Sequence, residues 1–292
     1  MLFKRFWFNY GDWITDRAKG ALPYLGGGVV VAALLYLAIM FYVSSTTLTI
    51  EGRIFHPKSE QVSLMRFQGD ERVVVATAIV DGEGRFSFRV DDADDAPMLY
   101  EIECSEELIP VVGAVGEKIK VEAVNPISTN YWVSGSVESK MLQEHYQQFM
   151  TKVERLEFIA ANYAATTAAG GRGSQRVMSK GSGASSNMSQ STLELEYNTT
   201  YSEIKQLQRR FITQNKGQMS AIYALFLRVP GEEFLFSEEH DTTYMNMVRG
   251  SIEQRYPKAE YLRYLEAMLE REKERIEQER MRELEQIGSR KR

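Results

Sequence analysis

Val80-Asp81-Gly82-Glu83-Gly84-Arg85-Phe86-Ser87-Phe88 is the stretch on which the reading of the fold turns. Asp and Gly tolerate the positive φ values that a tight hairpin requires, and the alternation that follows sends Phe86 and Phe88 to one face of a strand. The same pattern repeats on both sides. Thr47–Ile50, Val62–Phe67 and Val73–Val80 precede the turn, and Phe86–Val90, Met98–Ile102, Leu108–Val112, Ile119–Val121 and Tyr131–Val133 follow it. These segments are short, rich in β-branched and aromatic residues, and recur at intervals of about 10–12 residues. Gln68-Gly69-Asp70 and Asn125-Pro126 mark further turns. Such spacing predicts an antiparallel β-sandwich over residues 46–135 rather than a parallel sheet with crossover helices.

After Gly135 the apolar period lengthens. Ser136 is placed to cap a helix whose Val137, Met141, Leu142, Tyr146, Phe149, Val153, Leu156 and Ile159 share one face. A second helix is expected from about Thr192 to Asn215, with Tyr197, Tyr201, Ile204, Leu207 and Phe211 in register, so that the two pair as an antiparallel hairpin. The intervening 164–190 is Gly, Ser, Thr and Ala with scattered Arg and Lys, a composition that predicts a disordered loop. Ser220–Val229 reads as a buried short helix, Ser237 as the start of another, and Pro257 as the opening of a long last helix. The helical region thus spans 136–257 and the charged C-terminal helix 258–292. From Arg271 to Glu285 that helix is almost entirely charged, with favourable Glu270–Lys273, Glu272–Arg275, Glu277–Arg280 and Glu279–Arg282 spacings. Ile276, Leu284 and Ile287 are too sparse for a coiled-coil seam, which leaves a solvated helix or a docking arm. The fold class expected is α+β.

Before the sandwich stands Val29–Val43, VVVAALLYLAIMFYV, an uncharged run preceded by Ala21-Leu22-Pro23-Tyr24-Leu25 and three glycines. Residues 21–43 match the roughly 20 apolar residues that a spanning helix needs. Lys4, Arg5, Arg17 and Lys19 precede them, so residues 1–45 are expected to be a cytoplasmic leader with a single-pass inner-membrane anchor, the rest facing the periplasm. The leader's Phe3, Phe6, Trp7, Phe8, Tyr10 and Trp13 suit a membrane interface. A signal peptide cleaved after Ser45 is the competing reading, disfavoured by the length of the leader and of the apolar run.

Composition excludes several function classes. A net charge of −5 gives no support to nucleic-acid binding. Cys104 is the one cysteine, so neither an internal disulfide nor a dithiol is available, and its place in an alternating strand predicts a buried inert thiol. His56, His145 and His240 each lack a second ligand at metal spacing. Asp91-Asp92-Ala93-Asp94-Asp95 lacks the glycine and distal glutamate of a calcium loop. Gly113-Ala114-Val115-Gly116-Glu117-Lys118 has the wrong spacing for a phosphate loop, and no Gly-x-Ser-x-Gly occurs. No catalytic, cofactor-binding or metal residue is therefore assigned, and a non-enzyme is expected.

Thr49-Ile50-Glu51-Gly52-Arg53-Ile54, Val80–Phe88, Val133-Ser134-Gly135-Ser136-Val137-Glu138, Phe211-Ile212-Thr213-Gln214-Asn215 and Tyr256-Pro257-Lys258-Ala259 occur in that order. Over roughly Thr46 to Leu269 the chain resembles the N-terminal β-sandwich and helical region of Bacteroidetes-type periplasmic thiol–disulfide oxidoreductases. In that family a C-terminal thioredoxin domain with a Cys-x-x-Cys pair carries the chemistry, and that domain has no counterpart in this sequence. The expectation is a non-catalytic envelope protein that binds or scaffolds an envelope partner. The alternative is an accessory of a thioredoxin-like thiol–disulfide system, with a thioredoxin-fold protein as partner.

Overall fold

The computed structural model describes residues 34, 36, 46–69, 71–91, 96–170, 190–229, 231, 235–236 and 241–290. The anchor expected over 21–43 lies outside them apart from Leu34 and Tyr36, and among the described residues no helix is long and apolar enough to cross a membrane. Leu48–Arg292 forms one compact unit.

Eight strands appear where the alternation placed them: β1 Leu48–Phe55, β2 Gln61–Gln68, β3 Glu71–Ile79, β4 Arg85–Val90, β5 Met98–Cys104, β6 Glu107–Gly113, β7 Lys118–Val124 and β8 Tyr131–Ser134. They build two four-stranded sheets, sheet 1 in the order β4-β1-β7-β8 and sheet 2 in the order β3-β2-β5-β6. Two details depart from expectation. Sheet 1 is not wholly antiparallel, because β1 and β7 run parallel from Thr49↔Lys118 to Phe55↔Val124. From β1 the chain crosses to sheet 2 for β2 and β3, returns for β4, crosses again for β5 and β6, and comes back at β7 in the same direction as β1. The Asp81–Gly84 turn also joins the two sheets rather than closing a hairpin within one. Val80 N–H donates to the Glu60 carbonyl on one side of the turn, and Ile54 N–H to the Gly84 carbonyl on the other. The turn chemistry itself is as predicted. Asp81 Oδ1 accepts from the N–H groups of Glu83 and Arg85 at 2.9 Å each, bonds that with the Arg85 guanidinium hold its carboxyl below the usual range. Gly84 has φ +82°, and a Cβ there would meet the Ile54 carbonyl oxygen at 2.1 Å.

Burial separates the sheets. Along β4 and β7 it alternates, with Phe86, Phe88, Val90, Ile119, Val121 and Ala123 inward and charged or polar residues outward. Along β5 almost every residue is buried, because helices cover the second face of sheet 2. Phe67 on β2 meets Tyr223 and Phe226 at ring-centroid distances of 5.2 and 5.5 Å, and the Leu99 N–H on β5 donates to Tyr261 Oη at 2.8 Å. Three layers result: sheet 1, sheet 2, helices.

The helices are α1 Val137–Gly170, α2 Gln190–Asn215, α3 Met219–Leu225, α4 Thr242–Arg255 and α5 Tyr261–Arg290. Ser136 caps α1, accepting the Ser139 N–H on its hydroxyl at 3.4 Å. Across α1 and α2 the pairs His145–Gln208, Lys152–Glu203, Arg155–Glu196 and Tyr163–Glu194 run in opposite directions, as an antiparallel hairpin requires. The first residues of the stretch expected to be disordered continue α1 through Gly170; 171–189 lie outside the described residues. Three boundaries shift. The helix expected over Ser220–Val229 begins at Met219 and ends at Leu225, so 226–229 lie beyond it, and α4 starts at Thr242, residues 237–240 lying outside the described residues. Pro257 sits in the turn before α5, where Ala259 N–H donates back to the Tyr256 carbonyl and delays the helix to Tyr261.

Candidate binding surface and cleft

A two-sheet sandwich has four edge strands, each presenting unpaired backbone N–H and C=O groups, and soluble proteins normally blunt them. Here β6, β8 and β4 are blunted, whereas β3 carries charge only at its first two residues, Glu71 and Arg72, and is open from Val73 to Ile79. On β6, Pro110 has no N–H to offer. Val112 donates its N–H to Ser139 Oγ at 2.8 Å, and its carbonyl accepts from the hydroxyls of Ser136 and Ser139 at 3.0 and 2.7 Å. On β8, Val133 N–H donates to Gln143 Oε1 at 2.8 Å, while the Tyr131 carbonyl accepts from Gln143 Nε2 at 2.8 Å and Gln147 Nε2 at 2.7 Å. Ser136, Ser139, Gln143 and Gln147 recur at helical spacing, so one stripe of α1 closes the edges of both sheets. The edge strand β4 has six residues and carries exposed Arg85 and Arg89.

β3 is nine residues long, ERVVVATAI, and is exposed or half-buried throughout. Its backbone pairs with β2 alone, from Gln61↔Ile79 to Gln68↔Glu71. Val73, Val74, Val75 and Ile79 are 43, 58, 41 and 81% exposed. No charge or proline interrupts Val73–Ile79. A bulge skips Val75, since Leu64 faces Ala76 and Met65 faces Val74; it raises the local twist and leaves the uncharged run intact. An open edge with β-branched side chains on both faces is the surface to which an extended segment adds as a further strand.

Between sheet 2 and the helices lies a cleft of about 210 Å³ lined by Phe67, Arg72, Glu101, Tyr146, Phe149 and Phe226 among others. Glu101 on β5 is fully buried. Its Oε2 accepts from Arg72 Nε; its Oε1 accepts from Arg72 Nη2 at 3.3 Å and from the Tyr223 hydroxyl at 2.7 Å. Tyr223 spends its single proton on Glu101, and its ring meets that of Tyr146 edge-on at 6.0 Å between centroids. Burial, then the Glu101 charge, pushes both phenols well above their ordinary range, and both stay neutral. Burial opposes the charge on Arg72, yet the Glu101 carboxylate more than offsets it and raises the guanidinium above its usual value. A second buried carboxylate, Asp241, is held by Lys205 at 3.3 Å and Arg209 at 2.9 Å and fastens the start of α4 to α2.

The residues singled out from sequence stay apart. Cys104 is buried in the sandwich core with Ile102 and Tyr100 on its strand, out of reach of thiol exchange. His145 is buried between Gln208, at 2.7 Å, and the ring of Phe211, stacked at 3.9 Å. Burial lowers its pKa to about 4, the Gln208 hydrogen bond acting the other way. His56 ends β1 with φ 54°. His240 and residues 92–95 lie outside the described residues. Ala114–Glu117 is a backbone turn closed by Glu117 N–H to the Ala114 carbonyl at 3.1 Å. Among the described residues no group of three or more His, Cys, Asp or Glu is placed to hold a metal ion. Sequence reasoning missed the α1 stripe, β3 as an edge and the Arg72–Glu101–Tyr223 cluster; their residue types were visible, their neighbours were not. Searches against protein-family models, curated proteins and solved structures found no match for the chain.

Proposed function

We propose that the chain is a membrane-anchored, periplasm-facing, non-catalytic binding module of the cell envelope that takes up an extended apolar segment of a partner protein at β3. The observation carrying this reading is the contrast among the edges: the cap residue Ser136 and three side chains of α1 close β6 and β8, arginines guard β4, and β3 is left bare from Val73 to Ile79 with four exposed apolar side chains. Main-chain hydrogen bonds would supply affinity there and the alternating Val, Ala and Ile positions would supply selectivity. The anchor rests on the uncharged 21–43 run and the cationic leader before it.

A photoreactive side chain at Val74 or Ile79 of the full-length chain in intact cells tests the proposal, with Trp132, 58% exposed on the guarded β8, as control. Discrete adducts are expected from the β3 positions alone, and Val75→Lys should remove those formed at Ile79. Equal labelling at Trp132, or indifference to the lysine, would refute strand addition. Protease added outside the opened outer membrane should digest the sandwich; protection would refute the topology.

A further inference from the structure

We infer that the cleft between sheet 2 and the helices is a binding site for a small carboxylate whose body is a single aromatic ring. The cleft holds about 210 Å³, whereas an apolar cavity of about 150 Å³ suffices for benzene. Five aromatic rings border it: Phe67, Tyr146, Phe149, Tyr223 and Phe226. Phe67–Tyr223, Phe67–Phe226 and Tyr146–Tyr223 meet with interplanar angles of 57, 74 and 67°, so they form walls at different inclinations rather than one stack that fills the space.

The polar groups select the charge. A carboxylate buried as completely as Glu101 would suit a cationic ligand if its oxygens were open, but Arg72 and Tyr223 occupy both. What remains open belongs to the arginine. Its Nε and Nη2 are used on Glu101, its side chain is 48% exposed, and among the described residues Nη1 makes no hydrogen bond. A guanidinium gripped along one edge by a buried carboxylate is fixed in orientation and offers its remaining donors as a prepared anion site. Arg228 also lines the cleft. If the cluster served only to fasten sheet to helix, Arg72 would gain nothing from bordering an unfilled cleft.

Titration of the full-length chain in detergent micelles with benzoate and phenylacetate, followed by saturation-transfer NMR and calorimetry, tests this, with benzamide as the uncharged isostere. Saturable binding of the carboxylates is expected, with benzamide at least tenfold weaker. Arg72→Gln should weaken benzoate by tenfold or more. Met150→Trp is designed to fill the cleft from α1 without touching the ion pair, and should abolish binding while the far-ultraviolet spectrum is unchanged, which keeps the test decisive where Arg72→Gln fails to fold. Carboxylates that do not saturate by 10 mM, benzamide binding as tightly as benzoate, or full binding by the Met150→Trp chain would each overturn the inference. None of these outcomes bears on β3, whose reading stands or falls on the crosslinks.

Discussion

Replacing His145 with glutamine should flatten part of the acid dependence of stability. In the fold His145 is neutral, hydrogen-bonded to Gln208 and stacked on Phe211, with a pKa near 4 where the unfolded chain has about 6.5. The lowered value means that between those two pH values the unfolded chain binds a proton the folded one does not, so stability from this residue falls as pH drops and is complete above 6.5. Taking the two values at face worth, the contribution lost between pH 7 and pH 5 is about 2 kcal/mol, rising to about 3 kcal/mol below pH 4. For a unit of this size, about 2 kcal/mol corresponds to roughly 4–8 °C in Tm. Urea and thermal unfolding of residues 46–292, followed by circular dichroism at pH 7, 6 and 5, measures it. His145→Gln lowers stability at pH 7 by losing the stacked ring, but its decline towards pH 5 should be shallower by that amount. Carboxylates titrate in both chains and cancel in the comparison, including Glu138, whose burial raises its pKa and works in the opposite sense. Parallel pH curves for the two chains would refute the reasoning.

Gln143→Leu removes the donor and acceptor that close β8 and should cost about 1–3 kcal/mol, with early loss of hydrogen-exchange protection at Val133; persistent protection there would mean the α1 stripe does not guard the edge. Arg72→Met leaves Glu101 buried with Tyr223 alone and should cost about 2–3 kcal/mol, below the usual figure for a buried pair because Arg72 is half exposed. Adding Glu101→Met should return most of that loss in urea unfolding, and a double variant no more stable than the single would show that packing, not charge, sets the cost. Cys104 should react with a thiol reagent only at the rate of global unfolding, so immediate modification of the native chain would contradict its place in the core.

Strand positions were legible because alternation and turn residues are local properties. Asp81, Gly84, Phe86 and Phe88 could be read without knowing what they touch. Pairing was not legible in the same way. Nothing within Leu48–Phe55 states that its neighbour is Lys118–Val124 in parallel, and nothing in Asp81–Gly84 states that its two flanks belong to different sheets. Two positions carry no local sign of their surroundings. Val73–Ile79 is among the most apolar strand segments in the chain, and apolarity normally reports burial, yet it lies on an open edge. Glu101 alternates with Tyr100 and Ile102 as a solvated residue would, yet helices close over its face and bury it completely. The Ser136, Ser139, Gln143 and Gln147 stripe is indistinguishable in sequence from the polar side of any helix, because its partners are backbone groups ten to 27 residues away.

The three-layer arrangement confines where this sandwich can bind a polypeptide. Inward of the β3 edge, sheet 2 has no free face, since sheet 1 covers one side and the helices the other. Sheet 1 has a free face dominated by charged and polar residues, with Glu51 held by Lys118 at 2.7 Å, and Val124 and Trp132 as isolated exposed apolar side chains on it. That leaves the edges, and the helical region itself removes two of them. An unprotected edge of seven uncharged residues carries a standing risk of aggregation. A single lysine at Val74 or Val75 would remove that risk, since substitutions at such exposed sites usually change stability by no more than about 0.5 kcal/mol. Protection so easily added, present on the other three edges and absent from Val73–Ile79, accords with the proposal that β3 takes up a partner's strand.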